Sequence, residues 1–305
     1  MILFVVNEAS GNGHGRKVWN KVESILKQRE ISFDKISSES ATDAIERTKA
    51  FLKHSNVNTI GIVGGDGTIH SLLPLLVGSG ISLGLIPTGS GNDTARAFHI
   101  PHDPIKALEI LLTGHALPSD VLLTSQLDRG DELTLTAVAI GLDAMVAADV
   151  NESNYKRWCN RLRIGSFAYI IGLIRALFRF KPSSVTITLD GVTHQYNRGW
   201  LTAISNVPSY GGGLKICPQA RPDDGQLHVC IVHSCSLWQI IRLFPTLLTG
   251  THVKQPYVKM LSGQQVNITT SAPFLACGDG ELIGRTPIEA RLLVDQLLIV
   301  TKLSG

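Results

Sequence analysis

Three glycine-rich turns crowd the first third of the chain: Ser10-Gly11-Asn12-Gly13-His14-Gly15, Gly64-Gly65-Asp66-Gly67-Thr68 and Gly89-Ser90-Gly91-Asn92-Asp93. Each lies between an apolar strand-like run and a helical pattern. One such turn says little, because glycine serves ordinary tight turns as well as phosphate cradles. Three in a βα series converge on one edge of a parallel sheet, where α/β proteins hold their ligands.

The periodicity around these turns predicts strands at 2–6, 32–36, 59–63 and 82–86, and helices at 16–28, 42–53, 69–76 and 104–112. Strands that are apolar throughout imply a parallel sheet covered on both faces. From about residue 121 the pattern changes to strands in hairpin-like order, at 121–123, 133–140, 185–189, 200–205, 227–232, 265–270 and 292–300, with Asp190-Gly191 a strong turn signal. Helical insertions are expected near 164–180 and 237–248. The chain therefore divides into an α/β domain over 1–120 and a mostly antiparallel β-sandwich domain over 121–305.

With 28 Lys and Arg against 25 Asp and Glu, the charge excess is too small and too dispersed to argue for nucleic acid. Five cysteines, odd in number and without Cys-x-x-Cys spacing, read as reduced core residues of a cytoplasmic protein. The apolar N-terminus reads as a buried first strand rather than a signal peptide, and no run reaches the roughly 20 apolar residues of a spanning helix. The histidines form no zinc-type pair and no Gly-x-Ser-x-Gly elbow occurs, which sets aside zinc hydrolase and α/β-hydrolase chemistry.

The second turn is the sharpest. Absent side chains at Gly64 and Gly65 let backbone N–H groups approach phosphate oxygens, and Thr68 is placed to cap the helix that follows. A carboxylate cannot face phosphate without repulsion, so Asp66 points to Mg²⁺ or to metal-bound water; for that motif alone, an Asp-Gly turn with no ligand is the favoured reading. The third turn again supplies glycines, a hydroxyl and a carboxylate at a strand end, and shifts the balance toward a phosphate and metal platform. The first turn fits neither the dinucleotide glycine spacing nor the Walker pattern.

These turns, with Ile140-Gly141-Leu142-Asp143-Ala144, Tyr210-Gly211-Gly212-Gly213, Pro218 through Asp223-Asp224-Gly225, and Asp279-Gly280-Glu281, form an ordered set. The set resembles the bacterial lipid kinases that carry a diacylglycerol kinase catalytic domain and are related to diacylglycerol and sphingosine kinases. The resemblance implies a first domain similar to phosphofructokinases and NAD kinases. It implies ATP in a cleft between the domains, against Gly64, Gly65, Asp66, Gly67, Thr68, Ile69, His70, Gly89, Ser90, Asn92 and Asp93, with Asn7 and Ser38 as further contacts. It assigns the catalytic Mg²⁺ to Asp66, Asp93 and Asp120, largely through water, and a second, structural metal to the Asp224 side chain with the Arg221 and Gln226 carbonyls. Glu281 would be the general base that takes the proton of a lipid hydroxyl, most naturally that of diacylglycerol, beside Asp279 as a supporting carboxylate.

Some positions depart from the family. Glu8 follows Asn7 where proline is usual, and Ser71 stands where glutamate would complete a capping box with Thr68. Ser38 and Ser90 keep the hydroxyl of the usual threonines, and His70 replaces a common asparagine. Two further readings of the chain are a kinase of a soluble acceptor, as in NAD kinases, and a nucleotide-binding regulator without transferase activity. The segment 158–181 brackets apolar residues with Arg161, Arg163, Arg175, Arg179 and Lys181, which fits either a membrane-surface helix or one packed on the β domain; the same holds for Trp238–Phe244. A lipid acceptor implies peripheral, transient membrane contact, and a homodimer is compatible with the sequence.

Overall fold

The computed structural model describes residues 1–38, 40–126, 130–152, 172–173 and 175–302. Its contacts divide into two units, Met1–Val121 with Val294–Gly305, and Leu122–Leu293. The C-terminal residues from Val294, expected in the second domain, thus group with the first unit.

The first unit runs β1 (Ile2–Asn7), α1 (Ser10–Gln28), β2 (Phe33–Ser38), α2 (Ala41–Leu52), β3 (Thr59–Gly64), α3 (Asp66–Leu76), β4 (Ser82–Pro87), α4 (Asp93–Ala97), α5 (Pro104–Thr113) and the start of β5 (His115–Gln126). The strands stand in the order β2-β1-β3-β4, all parallel, and Leu298 and Ile299 add a further parallel strand beside Ser82 and Leu83. Leu3, Phe4, Val5 and Val6 are all fully buried, so β1 is covered on both faces and its apolar residues need not alternate. The chain leaves β1 toward β2 on one side and returns to β3 on the other. The C-terminal ends of β1 and β3 therefore flank a topological switch point, the place where such sheets open a ligand crevice.

Two helix starts differ from expectation. Helix α1 begins at Ser10 and takes in the first glycine turn, where Gly11, Asn12 and Gly13 have φ of 57°, 58° and 84° and kink it. Helix α3 begins at Asp66 rather than Ile69, with Gly65 as an N-cap that offers no side chain. Thr68 therefore lies inside the first turn and does not cap the helix. The short α4 was not anticipated, since five residues give no readable period.

The second unit contains the rest of β5, then β6 (Gly130–Thr134), β7 (Ala137–Gly141), α6 (Leu142–Glu152), β8 (Ser183–Leu189), β9 (Val192–Ser205), β10 (Leu227–His233), α7 (Leu237–Leu243) running into a 3-10 turn at Phe244–Leu247, a second 3-10 turn at Thr251–Lys254, β11 (Val258–Gly263), β12 (Gln265–Thr270), β13 (Leu275–Gly278), β14 (Glu281–Arg285) and β15 (Ile288–Thr301). Its pairings are antiparallel. The second half of β9 pairs with β7 on one side and β10 on the other, extending to β11, β13 and β14; its first half pairs with β8, which continues to β12 and the start of β15. Ile140, Ile204 and Val229 from the first layer meet Ile187, Val266 and Ile268 from the second in one sandwich core. Along β10, Val229 and Ile231 face that core while Cys230 and Val232 join a second cluster with Leu142, Ile240, Leu243 and Leu247. Both faces of β10 are buried, which explains its unbroken apolar run.

The run 133–140, read as one strand, divides at Leu135 and Thr136 between β6 and β7. The expected helix over 164–180 lies largely outside the described residues, as do Arg161, Arg163 and Cys159. Among the described residues no helix is long and apolar enough to cross a membrane. Cys217, Cys230, Cys235 and Cys277 are buried and unpaired, and burial pushes their thiols up, Cys230 and Cys277 to about 12.

Candidate active site

In the first unit the three glycine turns are tied together by side chains at the strand ends. Asn7, the last residue of β1, donates from Nδ2 to Thr68 Oγ1 at 3.0 Å and accepts the Ser10 N–H at 3.1 Å. Ser10 Oγ donates to the Asn7 carbonyl at 2.8 Å and meets Thr88 Oγ1 at 2.6 Å. One asparagine thus links the first turn to the second, and one serine links it to the residue before the third. In the sequence Ser10 reads only as part of the first glycine turn and Thr88 is not singled out, because a hydroxyl beside a glycine turn carries no periodic signal.

The second and third turns touch backbone to backbone. A Cβ added at Gly65 would stand 2.9 Å from Gly89 Cα, and one at Gly89 would stand 2.7 Å from Gly65 Cα. Only glycine fits at both, and the paired backbones form a floor without side chains. At that floor helix α3 begins, and its first amides have no intrahelical acceptor and carry the positive end of the helix dipole. This is a fitting seat for phosphate oxygens.

Asp66 stands at the same edge. Its Oδ2 accepts the N–H of Asp93 at 3.1 Å and its Oδ1 the N–H of Thr94 at 3.0 Å, so the carboxylate bridges from the second turn to the first residues of α4. Asp93 Oδ1 takes a charge-assisted bond from Arg96 at 2.5 Å. Both carboxylates lie next to Gly91, whose Cβ would be 3.2 Å from Asp66 Oδ2 and 3.7 Å from Asp93 Oδ2. Each carboxylate oxygen of Asp66 keeps acceptor capacity beyond its backbone bond, and a pair of hard oxygen donors beside a phosphate seat suits Mg²⁺, which binds through one or two carboxylates, waters and phosphate. Asp120 is fully buried, with Oδ1 accepting the Asp295 N–H at 3.0 Å. Among the described residues no three His, Cys, Asp or Glu side chains lie close enough together to hold a metal directly.

The remaining nucleotide candidates sort by exposure. Ser38 pairs with Asn7 across β1 and β2, is buried, and donates to the Ser40 carbonyl. Asn92 is buried with a left-handed backbone, and exchanges hydrogen bonds with Gly89 at 2.9 and 2.8 Å, closing the third turn on itself. Ser90 and Gly67 are exposed and His70 is half-buried, whereas Ile69 is buried and its side chain belongs to the core.

Two departures find structural work. Glu8, in place of proline, accepts from Arg16 Nε at 2.7 Å, Ser37 Oγ at 3.0 Å and Lys35 Nζ at 3.2 Å, and these partners, Arg16 foremost, hold its carboxyl below the usual glutamate range. The turn that proline would pre-set is braced by side chains instead. Ser71, in place of a capping glutamate, donates back to the Gly67 carbonyl at 2.6 Å.

In the second unit Asp279 and Gly280 form the two-residue turn between β13 and β14, with φ of 49° and 85° and Gly278 paired to Glu281. Both positive φ values are those of a type I′ hairpin turn, for which Asp-Gly is a favoured sequence. The Asp279 carboxylate accepts the N–H of Leu135 at 2.9 Å, the N–H of Thr136 at 2.8 Å and the Thr136 hydroxyl at 2.5 Å. These bonds pull residues 135–136 out of the ladder and divide β6 from β7. Glu281 opens β14 with its side chain exposed.

Asp224 accepts the Gln226 N–H at 3.0 Å and lies 3.1 Å from His228 Nε2, while Arg221 pairs with Asp223 at 3.3 Å. A cation at Asp224 would share its carboxylate with His228. Asp143, in the first turn of α6, receives the Tyr210 hydroxyl at 2.6 Å. Burial raises the Asp143 carboxyl, the tyrosine bond opposes that rise, and burial holds the Tyr210 phenol well above its ordinary range. This buried pair unites two segments that sequence reading treated separately.

A parallel α/β unit with a glycine floor and a helix N-terminus at its switch point, together with an antiparallel β-sandwich, is the build of an NAD-kinase-like kinase. A family model described as the diacylglycerol kinase catalytic domain matches residues 1–124, and one described as the YegS C-terminal NAD kinase beta sandwich-like domain matches residues 136–301. The diacylglycerol kinase of Mycobacterium tuberculosis is 33% identical over 269 residues, covering 88% of this chain and 84% of that protein. That of Staphylococcus carnosus is 26% identical over 286 residues, covering 90% and 87%. A crystal structure of a diacylglycerol kinase from Bacillus anthracis superposes with a TM-score of 0.73 at 18% identity, over 99% of this chain and 97% of that one, and shows the shared fold. The chain belongs to the bacterial lipid kinases with a diacylglycerol kinase catalytic domain, and it is a lipid kinase.

Proposed function

We propose that the enzyme transfers the γ-phosphate of ATP to the hydroxyl of diacylglycerol or a closely related lipid. The observation that carries this reading is the side-chain-free floor of Gly65 and Gly89 at the start of α3, flanked by Asp66 and Asp93. The floor and the first amides of α3 bind and orient the phosphates, and Asn7, Ser10 and Thr88 hold the three turns in register. Asp66 and Asp93 would hold Mg²⁺ largely through water, with Asp120 joining them by sequence position. When bound, the ion neutralises the charge of the transferring phosphoryl group.

Glu281 is the proposed base that accepts the acceptor hydroxyl's proton, an effect on the order of 10²–10⁴-fold for a positioned carboxylate. Asp279 acts through it: its three accepted bonds fix the hairpin on which Glu281 stands. Asp224, braced by Gln226 and His228, would hold a structural cation together with the Arg221 and Gln226 carbonyls. Transient, peripheral membrane contact from the cytoplasm follows from the insolubility of the acceptor.

The test is transfer of label from ATP, with Mg²⁺, to mixed micelles of diacylglycerol, acylglycerols, ceramide and sphingosine. Labelled phosphatidic acid made by the wild type, and a fall in kcat of about 10²-fold or more in Glu281→Gln at unchanged Tm, is the expected outcome. Near-wild-type kcat in that variant overturns the base assignment. Label that enters only NAD, or no acceptor at all, overturns the lipid reading.

A further inference from the structure

Helix α7 and its 3-10 continuation are apolar on two faces. Ile240, Leu243 and Leu247 point into the cluster that also holds Trp200 and Val232. On the other side Trp238, Ile241 and Leu248 are 71%, 42% and 61% exposed, and Pro245 lies exposed between the last two. Their spacing of three, four and three residues makes one continuous outward stripe. Packing on the sandwich needs only the inward stripe, so it does not account for the outward one. The Ser236 and Gln239 capping box fixes where the helix starts, so the stripe is presented in a set orientation.

The segment that carries this stripe has charge of one sign. No Asp or Glu occurs between Asp224 and Asp279, whereas Arg242, Lys254 and Lys259 do occur and are exposed. Arg242 adjoins Ile241 on the helix itself. Phe178 is a further exposed apolar side chain, at 78%, and its neighbours Ala176 and Leu177 pack into the cluster that receives α7, while Arg175 pairs with Asp149 at 3.7 Å. An apolar stripe led by tryptophan, on a segment that carries cations and no carboxylate, has the composition of one that lies in a membrane interface. A second copy of the chain is a poorer occupant, because a two-fold contact on α7 would set Arg242 against its own copy with no carboxylate of the 225–278 segment to match it.

We propose that the outward face of α7, through Trp238, Ile241 and Leu248 with Arg242, docks on an anionic membrane surface. The inference deepens the lipid-acceptor reading and rests on it. It places the docking surface on a helix of the sandwich unit.

The experiment is flotation of the full chain with phosphatidylcholine vesicles, with and without phosphatidylglycerol and containing no acceptor lipid. The wild type is expected to float with the anionic vesicles. Trp238→Ser should lower the vesicle partition coefficient about tenfold, and Arg242→Gln about fivefold at low salt with little further loss at high salt. Both variants should keep the wild-type Tm and the wild-type rate on a short-chain acceptor dissolved below its micellar concentration. A wild type that does not float, or floats no better than Trp238→Ser, overturns the proposal. So does a Trp238→Ser variant that turns a dimer into a monomer by light scattering while flotation stays the same. Failure of the wild type to phosphorylate the dissolved acceptor would instead count against the lipid-acceptor reading and leave the flotation result standing.

Discussion

The tripeptide Gly-Asp-Gly occurs at the end of a strand in each unit, as Gly65-Asp66-Gly67 after β3 and as Gly278-Asp279-Gly280 after β13, and the two copies form different structures. The first opens an α-helix, and the second is a two-residue hairpin turn. Yet the carboxylates do the same local work. Asp66 accepts the N–H groups of two consecutive residues, Asp93 and Thr94, and Asp279 accepts those of Leu135 and Thr136. In both, an aspartate at a strand end clamps a distant loop. They differ in what else reaches the carboxylate. Asp279 takes a third bond from the Thr136 hydroxyl, whereas Asp66 has a second carboxylate, Asp93, beside it at Gly91. That difference suits Asp279 to holding structure, and suits Asp66 to the cation-binding role proposed for it.

The largest expected effect separates these roles. Asp66→Asn should lower kcat/KM by about 10²-fold or more through the lost charge near the phosphates, while Asp279→Asn should act first on stability. An amide can still accept one of the two backbone bonds, so Asp279→Asn is expected to cost about 1–3 kcal/mol, read as a fall in Tm, with kcat reduced only as far as the hairpin loosens. If Asp279→Asn leaves Tm unchanged and abolishes transfer, the two aspartates do not divide structure and catalysis in this way.

A smaller effect comes from the glycines of the two copies. Gly65→Ala forces its Cβ against Gly89 Cα at 2.9 Å, backbone on backbone, and should cost about 1–3 kcal/mol together with weaker ATP binding. Gly280→Ala meets no atom within 4 Å, but its φ of 85° is adverse to any side chain, and about 1 kcal/mol is expected with ATP affinity intact. Denaturant melts combined with nucleotide titration distinguish the two.

The smallest effect depends on pH. Burial raises the Asp143 carboxyl in the folded state, so its favourable contribution is complete below the ordinary aspartate range and declines as pH rises through the raised value. The Tyr210 hydroxyl counteracts that rise. Tyr210→Phe should therefore destabilise by about 1 kcal/mol near neutral pH and by less in acid. A difference in Tm that grows as pH falls would contradict this sign.

Most of the first unit could be read from the sequence, with strand ends right to within one or two residues. Its central strand β1 is buried on both faces, and α2 and α5 carry clear side-chain caps in Ser40 and Asp103, so there the local signals agree with the fold. The second unit was less legible. β13 has four residues, β11 has no clear alternation, and α6 follows β7 without a break, so none gives a period to detect. The division of 133–140 at Leu135 was unreadable in principle, because its cause is a carboxylate at position 279. The ordered motifs brought Asn7, Asp66, Gly89 and Asp93 to notice, but not that Asn7 bonds Thr68 or that Ser10 meets Thr88.

By itself the sequence determined the alternation of elements, the three glycine turns at strand ends and the residue types that suit phosphate and metal. These are local properties, written in spacing and side-chain chemistry. Only the tertiary structure decided that Gly65 and Gly89 touch, that Asp66 bridges two of the turns, that identical tripeptides become a helix start and a hairpin, and that α7 shows a second apolar face to solvent. Each depends on which distant backbone amides and carbon atoms come within about 3–4 Å, the range over which hydrogen bonds and packing act.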